Sequence, residues 1–374
     1  MDFGWTDAQS QRYQDALAAV RDGFDAGGGF DADGWRRLGE LGVLGACVPP
    51  EHGGAGLGAV DTALLYEAVG RGCADTGLVF AAAAHLFACA MPIAEFGGAA
   101  LRERWLPGLC SGEHVGANAI TEPDAGSDVA RLATTAVPAP GGYVLDGEKS
   151  FVSNAPVADV VVTYARTDPA AGHLGVTGFA VPTDHPGVLV GPPMAKLGLD
   201  GCAAATVTFR DCFVPAQDVL GAPGQGMAVF QHSMGWERAC LFATYLGLQE
   251  RLIERCVAHA RAREQFGRRI GQFQAVSHRI AEMRLRADGA RLLLHRACWA
   301  MDRGEPDVLF TALAKLATSE AALATALDAV RIFGGRGYLR DHGVEAALRD
   351  AVGATIFSGT SDVQRELVAW ELGL

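Results

Sequence analysis

The chain has 374 residues and a mass of 39.1 kDa, which at roughly 100–200 residues per domain allows two or three domains. Hydrophobic residues at 49% and charged residues at 20% exclude a disordered or coiled-coil protein, and the net charge of −12 argues against a general nucleic-acid binder. No apolar run reaches about 18 unbroken residues, residues 1–10 carry acids and no cationic stretch, and nine scattered Cys form no C-x-x-C pair, so the expectation is a cytoplasmic protein with buried reduced thiols, no membrane span and no secretory signal.

In chain order, residues 1–116 read as a helical domain. Helical spacing covers 9–20, 61–70 and 78–96, and Asp33 is placed to cap a helix carrying Trp35, Leu38 and Leu41. A Gly-rich loop, 49–54, interrupts them. From 117 to 222 the character changes to short β-branched runs between turn residues, at 143–147, 159–164, 176–181, 187–190 and 205–209. That spacing predicts an antiparallel sheet or barrel and not βαβ units. From 223 to 374 long amphipathic helices are predicted over 227–262, 273–303, 308–333 and 344–370, joined by short Gly-containing links, as in a four-helix bundle. The fold class is thus α+β: helical, β, helical.

Charge concentrates in one place. Between Arg251 and Arg303 twelve Arg face five acids, a net of +7. This segment reads either as a site for an anionic partner or as a solvated face or a subunit interface with internal ion pairs.

Four segments invite chemistry. Thr121, Gly126 and Ser127 lie in Thr121-Glu122-Pro123-Asp124-Ala125-Gly126-Ser127-Asp128, where helical and β parts meet; its donors suit a polar cofactor, although an ordinary capped turn has the same composition. Phe333-Gly334-Gly335-Arg336-Gly337-Tyr338 follows a helix, so it is no dinucleotide fingerprint and reads first as a C-cap. Ser358-Gly359-Thr360-Ser361-Asp362 precedes an amphipathic helix that Thr360 or Ser361 would cap. Glu237 sits in an apolar helical stretch, either paired with Arg238 or held with a raised pKa, the property a general base near neutral pH requires. His278 and Glu282 share a helix face, but there is no H-E-x-x-H and no G-x-S-x-G, so neither a metal site nor a serine hydrolase is expected.

Taken together and in this order, the segments resemble the acyl-CoA dehydrogenase family over essentially the whole chain. The strongest element is 119–128. Gly147-Glu148-Lys149 with Phe151-Val152-Ser153-Asn154, Arg263-Glu264-Gln265-Phe266-Gly267, Ile332–Tyr338 and Gly359-Thr360-Ser361 complete the set. The resemblance implies an FAD enzyme that oxidises an acyl thioester between its α and β carbons. It implies that Thr121 and Ser153 contact the flavin, with Ile120 and Phe151 beside its ring and Ser127 near the pyrophosphate. Arg263, Phe266, Gly334 and Gly335 would reach the FAD of a neighbouring subunit in a homodimer or homotetramer, and Arg331, Thr360 and Asp362 would lie near the cofactor.

This sequence departs from the family pattern at four places. Ser358 stands where the catalytic glutamate usually precedes Gly-Thr-Ser, Arg331 and Asp362 stand where Gln or Glu is usual, and Ala346 replaces a Lys or Arg. The isovaleryl-type branch and carrier-protein-bound prolyl dehydrogenases instead carry the glutamate in a Glu-Arg pair thirteen residues after the first Gly of Gly-x-Gly. Here Gly224-Gln225-Gly226 leads to Glu237-Arg238 at that spacing. The resemblance therefore implies Glu237 as the base and the Ser358 backbone N–H as donor to the thioester carbonyl. It also implies an electron acceptor, a flavoprotein or another oxidant. The acyl carrier is expected to be a carrier protein in a biosynthetic pathway, with free CoA and short or branched-chain catabolism as the alternative. Arg251, Arg255, Arg284, Arg286 and Arg291 would offer the carrier a basic face, and Trp236 and Phe230 suit a short, branched or cyclic acyl group. A flavin-dependent oxygenase or a non-catalytic flavoprotein on the same fold is the reading from another class.

Overall fold

The protein is described from a computed structural model covering residues 4–21 and 28–374; the first three residues of the acidic 1–10 segment lie outside it. The N-terminal part holds α1 (Asp7–Val20), α2 (Ala32–Glu40), α3 (Ala59–Gly72), α4 (Thr76–His85), α5 (Met91–Phe96) and α6 (Ala99–Ser111). Asp31, and not Asp33, caps α2, accepting from the Asp33 amide. The helix predicted over 78–96 begins at Thr76, where Asp75 accepts from the Leu78 N–H at 3.0 Å, and it passes through a π turn, Leu86–Ala90. Pro92 explains part of that irregularity: it has no N–H to give the Ala88 carbonyl one turn back.

The middle part is one sheet of β1 (Gly116–Ala119), β2 (Thr135–Ala139), β3 (Gly142–Ser153), β4 (Val160–Arg166), β5 (Val176–Pro182), β6 (Val188–Val190), β7 (Ala204–Pro215) and β8 (Val219–Leu220). The order is β6-β7-β3-β2-β4-β5-β8, mostly antiparallel, with β1 added to β4. The expectation of antiparallel pairing needs correcting here, since β1 and β4 run parallel, and β2 meets β4 in parallel at one pair. β4 is buried on both faces: Val160, Val162 and Tyr164 join the helical core, while Val161 and Ala165 join a second core inside the sheet.

The C-terminal part holds α7 (Gly226–Trp236), α8 (Ala243–Ala262), a small hairpin β9 (Glu264–Gln265) and β10 (Arg268–Arg269), α9 (Gln274–Asp302), α10 (Val308–Phe333), α11 (Gly335–Tyr338), α12 (Val344–Ala354) and α13 (Ser361–Glu371). Two predicted helices are broken. The 227–262 helix is interrupted by a second π turn, Glu237–Leu241. The 344–370 helix stops at Ala354 and restarts at Ser361, because Ser358 and Gly359 adopt positive φ (52° and 86°) and Thr360 caps the new helix by accepting from the Val363 N–H at 3.1 Å.

Two helical stretches, Thr76–Phe96 and Val308–Phe333, are long and apolar enough to cross a membrane. The first is 94% buried inside the fold, as a core helix would be. All nine Cys are buried and unpaired. Half of the arginines in this segment are partly buried and held by partners: Arg284 and Arg291 clasp Glu250, Arg291 also clasps Glu67, Arg279 and Arg286 clasp Asp328, and Arg251 donates to the Thr76 hydroxyl. Arg255 donates to the His342 carbonyl. Arg251, Arg255, Arg284, Arg286 and Arg291 therefore hold the helices together and do not form the free basic face expected for a carrier.

Candidate active site

A cleft of about 370 Å³ opens where the three parts meet. Its walls come from α4 and the first π turn, the segment after β1, the end of β3, α7 with the second π turn, and the 357–359 turn. Of the residues singled out from the sequence, Ile120, Thr121, Ser127, Phe151, Ser153, Glu237 and Ser358 all line it.

Local chain geometry explains how. β3 carries a bulge between Lys149 and Val152, and Phe151 adopts φ 56° there, which turns its ring out of the strand. The Phe151 ring is 69% exposed, a large apolar surface standing at the cleft mouth. Below it lies a buried ion pair built on the Gly147-Glu148-Lys149 segment. Lys149 is fully buried, and its Nζ donates to Glu122 Oε1 at 2.7 Å, to the Tyr164 carbonyl at 2.7 Å and to the Ile120 carbonyl at 3.3 Å. Glu122 also accepts from the Thr134 amide at 3.0 Å and from the Ala133 amide. Burial acts to raise the Glu122 pKa, but the Lys149 charge and these amides outweigh it, leaving the carboxyl below its ordinary value. For Lys149 burial wins over Glu122, and its pKa falls to about 8. This pair anchors the Ile120-Thr121 backbone to β3 and β4.

Glu237 is the first residue of the second π turn and only 8% exposed. Ser358 Oγ donates to its Oε2 at 2.6 Å. Ser233 lies 3.5 Å from Oε1, but its single hydroxyl proton is better placed on the Phe87 carbonyl at 3.0 Å. Arg238, the alternative partner, points elsewhere: its Nε donates to the Ser358 carbonyl at 3.2 Å, and Glu237 forms no ion pair among the described residues. Burial raises the Glu237 pKa from 4.5 to about 7, opposed by the Ser358 hydroxyl and by the Arg238 charge. The Ser358 backbone N–H makes no hydrogen bond among the described residues, leaving a donor beside the carboxyl.

The remaining sequence candidates are not in this cleft. Phe266 stands at the tip of the β9–β10 turn, 94% exposed with φ 51°, beside Arg263 at the end of α8. Arg331 leans on Asp328, Gly334 and Gly335 are exposed at the end of α10, Thr360 caps α13, and Asp362 pairs with Arg365 on the surface. Trp236 also misses the cleft, stacking on Phe87 with ring centroids 6.3 Å apart, whereas Phe230 lines it.

The residues fit a flavin. Ile120, Phe151 and Phe357 supply apolar faces, Thr121, Ser127 and Ser153 supply hydroxyls at their edges, and no side chain projects from Gly126. A second cavity of about 400 Å³, walled by Met194–Leu199 and α12, shares Phe80, Phe151, Ser153 and Phe357 with the first, so the cleft continues past the Phe151 ring.

Three family models match in register: the acyl-CoA dehydrogenase N-terminal domain over 6–113, middle domain over 117–212 and C-terminal domain over 224–373. An L-prolyl-[peptidyl-carrier protein] dehydrogenase of Pseudomonas fluorescens is 56% identical, with both chains covered completely. A Serratia protein of the same description is 41% identical over 100% of this chain and 99% of the relative. Among solved structures, the FAD complex of PigA superposes with a TM-score of 0.97 at 41% identity, covering both chains completely. The prolyl acyl carrier protein oxidase AnaB superposes with a TM-score of 0.97 at 36% identity, over 99% of this chain and 100% of that one. The chain belongs to the acyl-CoA dehydrogenase family.

Proposed function

We propose that this FAD-dependent oxidoreductase of the acyl-CoA dehydrogenase family oxidises a prolyl group held as a thioester on a peptidyl carrier protein, removing hydrogen from its α and β carbons. The observation that carries the chemistry is Glu237: a buried carboxyl without a cationic partner, at the cleft, with a pKa near 7. The two relatives named as prolyl-carrier-protein dehydrogenases support the substrate.

A thioester carbonyl acidifies its α C–H, and Glu237 takes that proton. The free Ser358 N–H meets the carbonyl oxygen as negative charge grows on it. Bound FAD supplies the two-electron acceptor for the β hydrogen, which leaves as hydride. Ile120 and Phe151 hold the flavin plane, while Phe230, Met234 and Leu241 keep water from the acyl group. Arg238 and Gln364 both donate to the Ser358 carbonyl, at 3.2 Å each, and so fix the peptide that follows the N–H donor.

Arg263, Phe266, Gly334 and Gly335 belong to this reading as groups that complete a neighbour's FAD site in a dimer or tetramer; the 94% exposure of Phe266 is what such a role leaves in a single chain. Arg331 falls near the same end of α10, while Thr360 and Asp362 start α13 next to the cleft-lining Gly359 and Val363. The reading also requires an electron acceptor, a flavoprotein or another oxidant. The test is anaerobic bleaching of the flavin by one prolyl group presented on a carrier protein, on pantetheine and on CoA, with isovaleryl-CoA as control. Fast bleaching by the carrier substrate is expected. Preference for isovaleryl-CoA would move the protein to the branched-chain catabolic branch.

A further inference from the structure

One polar side chain lining the cleft, and another packed behind Phe230, have no role in the chemistry above. Asn118 is on β1 and Tyr164 on β4. In the parallel β1–β4 register Asn118 stands opposite Val162, and Tyr164 is two residues further along β4, on the same face. Both side chains therefore turn toward the helices, at the wall made by Ala84, Ala88, Phe230 and Met234.

Asn118 Nδ2 donates to the Ala88 carbonyl at 2.7 Å. That is the carbonyl which Pro92 cannot serve, so the tether follows from the π turn and fixes which way the amide faces. The Asn118 oxygen then has two lone pairs to place and no hydrogen bond of its own among the described residues. Tyr164 is fully buried, packed edge-on against Phe230 with centroids 5.7 Å apart. Its hydroxyl lies against the Asn118 side chain, close enough for that amide to ease the burial-driven rise of the phenol pKa, and within electrostatic reach of Glu237, yet it closes no hydrogen bond of good geometry. An unpaired hydroxyl in a buried wall is costly unless a ligand or water satisfies it.

We propose that Asn118, supported by Tyr164, is the specificity element that receives an N–H of the acyl group, and so selects a cyclic aminoacyl thioester over a purely hydrocarbon one. This deepens the prolyl reading and rests on it. Asn118 Oδ1 accepts from the ring nitrogen of the substrate, while Nδ2 is held by the Ala88 carbonyl and packs beside the Tyr164 hydroxyl. A neutral acceptor suits this position. Among the described residues Glu237 is the sole acid lining the cleft, and an amine free to swing would pair with it and block proton abstraction. Holding the nitrogen on Asn118 leaves the carboxylate facing the α C–H.

The test uses the Glu237→Gln holoenzyme, in which binding is read by calorimetry without turnover. Two pantetheine thioesters of equal ring size are compared, prolyl and cyclopentanecarbonyl. The prolyl compound should bind at least about tenfold tighter, since a site built for an N–H leaves its own polar groups unpaired with the hydrocarbon. Adding Asn118→Leu should bring the ratio of the two affinities close to one. Adding Tyr164→Phe should lower it several-fold while keeping the fold, which preserves the test if the leucine variant does not fold. Equal affinities in the parent protein, or a ratio that neither substitution moves, would overturn the proposal. The prolyl reading is judged separately: it fails if carrier-bound prolyl does not bleach the wild-type flavin, whatever the affinity ratio.

Discussion

Glu122 and Glu237 face the same problem and solve it in opposite ways. Both carboxyls are almost fully buried, at 5% and 8% exposure. Glu122 meets an ammonium and two backbone amides, and its pKa falls below the ordinary value. Glu237 meets one close hydroxyl and no ion pair, and burial carries its pKa up to about 7. Burial alone thus does not decide what a carboxyl does; the count and charge of its donors do. The β part uses its carboxylate to fix the backbone around Ile120 and Thr121. The bundle leaves its carboxylate under-satisfied, ready to take a proton.

The comparison breaks most sharply at Glu237. Glu237→Gln keeps shape and removes basicity, so turnover should fall by about 10²–10⁴-fold while FAD and the fold stay. Stopped-flow bleaching by prolyl-carrier substrate checks this, and a rate within a few-fold of wild type would remove Glu237 as base. In the parent enzyme kcat/KM should rise with pH through about 7 and level off above, because the carboxylate is the active form.

The matching experiment at the other carboxylate is Lys149→Met. It leaves Glu122 buried without its cation, which costs about 3–5 kcal/mol of stability. The loss should appear as a lowered Tm together with weakened FAD retention, since Lys149 Nζ also holds the Ile120 carbonyl. Retained Tm with wild-type FAD content would mean that the pair does not organise the flavin wall.

The two groups should also pull stability in opposite directions with pH. The Glu237 pKa is raised in the folded state, so its stabilising contribution is complete below about 4.5 and lost as pH rises through about 7. The Glu122 pKa is lowered, so its contribution is present above the unfolded value and lost as pH falls through the folded one. Glu237→Gln should therefore gain on wild type between about pH 6 and pH 8, by roughly 1–3 kcal/mol. Chemical denaturation at both pH values reads the difference, and parallel curves would refute the raised pKa.

How far the sequence foretold this depended on what each feature requires. The helical, β, helical order needed only composition and period, whereas Glu237 was singled out by the family resemblance, through its spacing after Gly224-Gln225-Gly226. The π turns were not, because an inserted backbone residue leaves the apolar pattern of 227–262 looking like one helix. The break at 355–360 was half legible: the 344–370 period runs across it, whereas the cap expected at Thr360 or Ser361 marks its far side, and Thr360 is that cap. Lys149 was quoted as part of a motif, but its burial under Ile120 follows from the β3 register. Asn118 and Tyr164 went unremarked, since only the parallel β1–β4 pairing puts them on one face. The basic segment misled for a related reason: Glu67, Glu250 and Asp328, which neutralise much of it, lie outside the counted window in sequence or on other helices in space.

The smallest expected effect sharpens the comparison most finely. Ser358→Gly removes the one close donor to Glu237 without changing its burial. Glycine suits the positive φ of 52° at this position, so backbone strain does not confuse the outcome as it would with alanine. The Ser358 hydroxyl stabilises the charged form of Glu237, and losing it should push that pKa further up. The pH profile of kcat/KM should then move to the alkaline side by less than about one unit, with the plateau at high pH within a few-fold of wild type, because the backbone N–H at 358 remains. A shift to the acid side would mean that the hydroxyl accepts and does not donate. A collapsed plateau would mean that Ser358 itself takes part in proton transfer, and that the under-satisfied carboxyl of the bundle does not act alone.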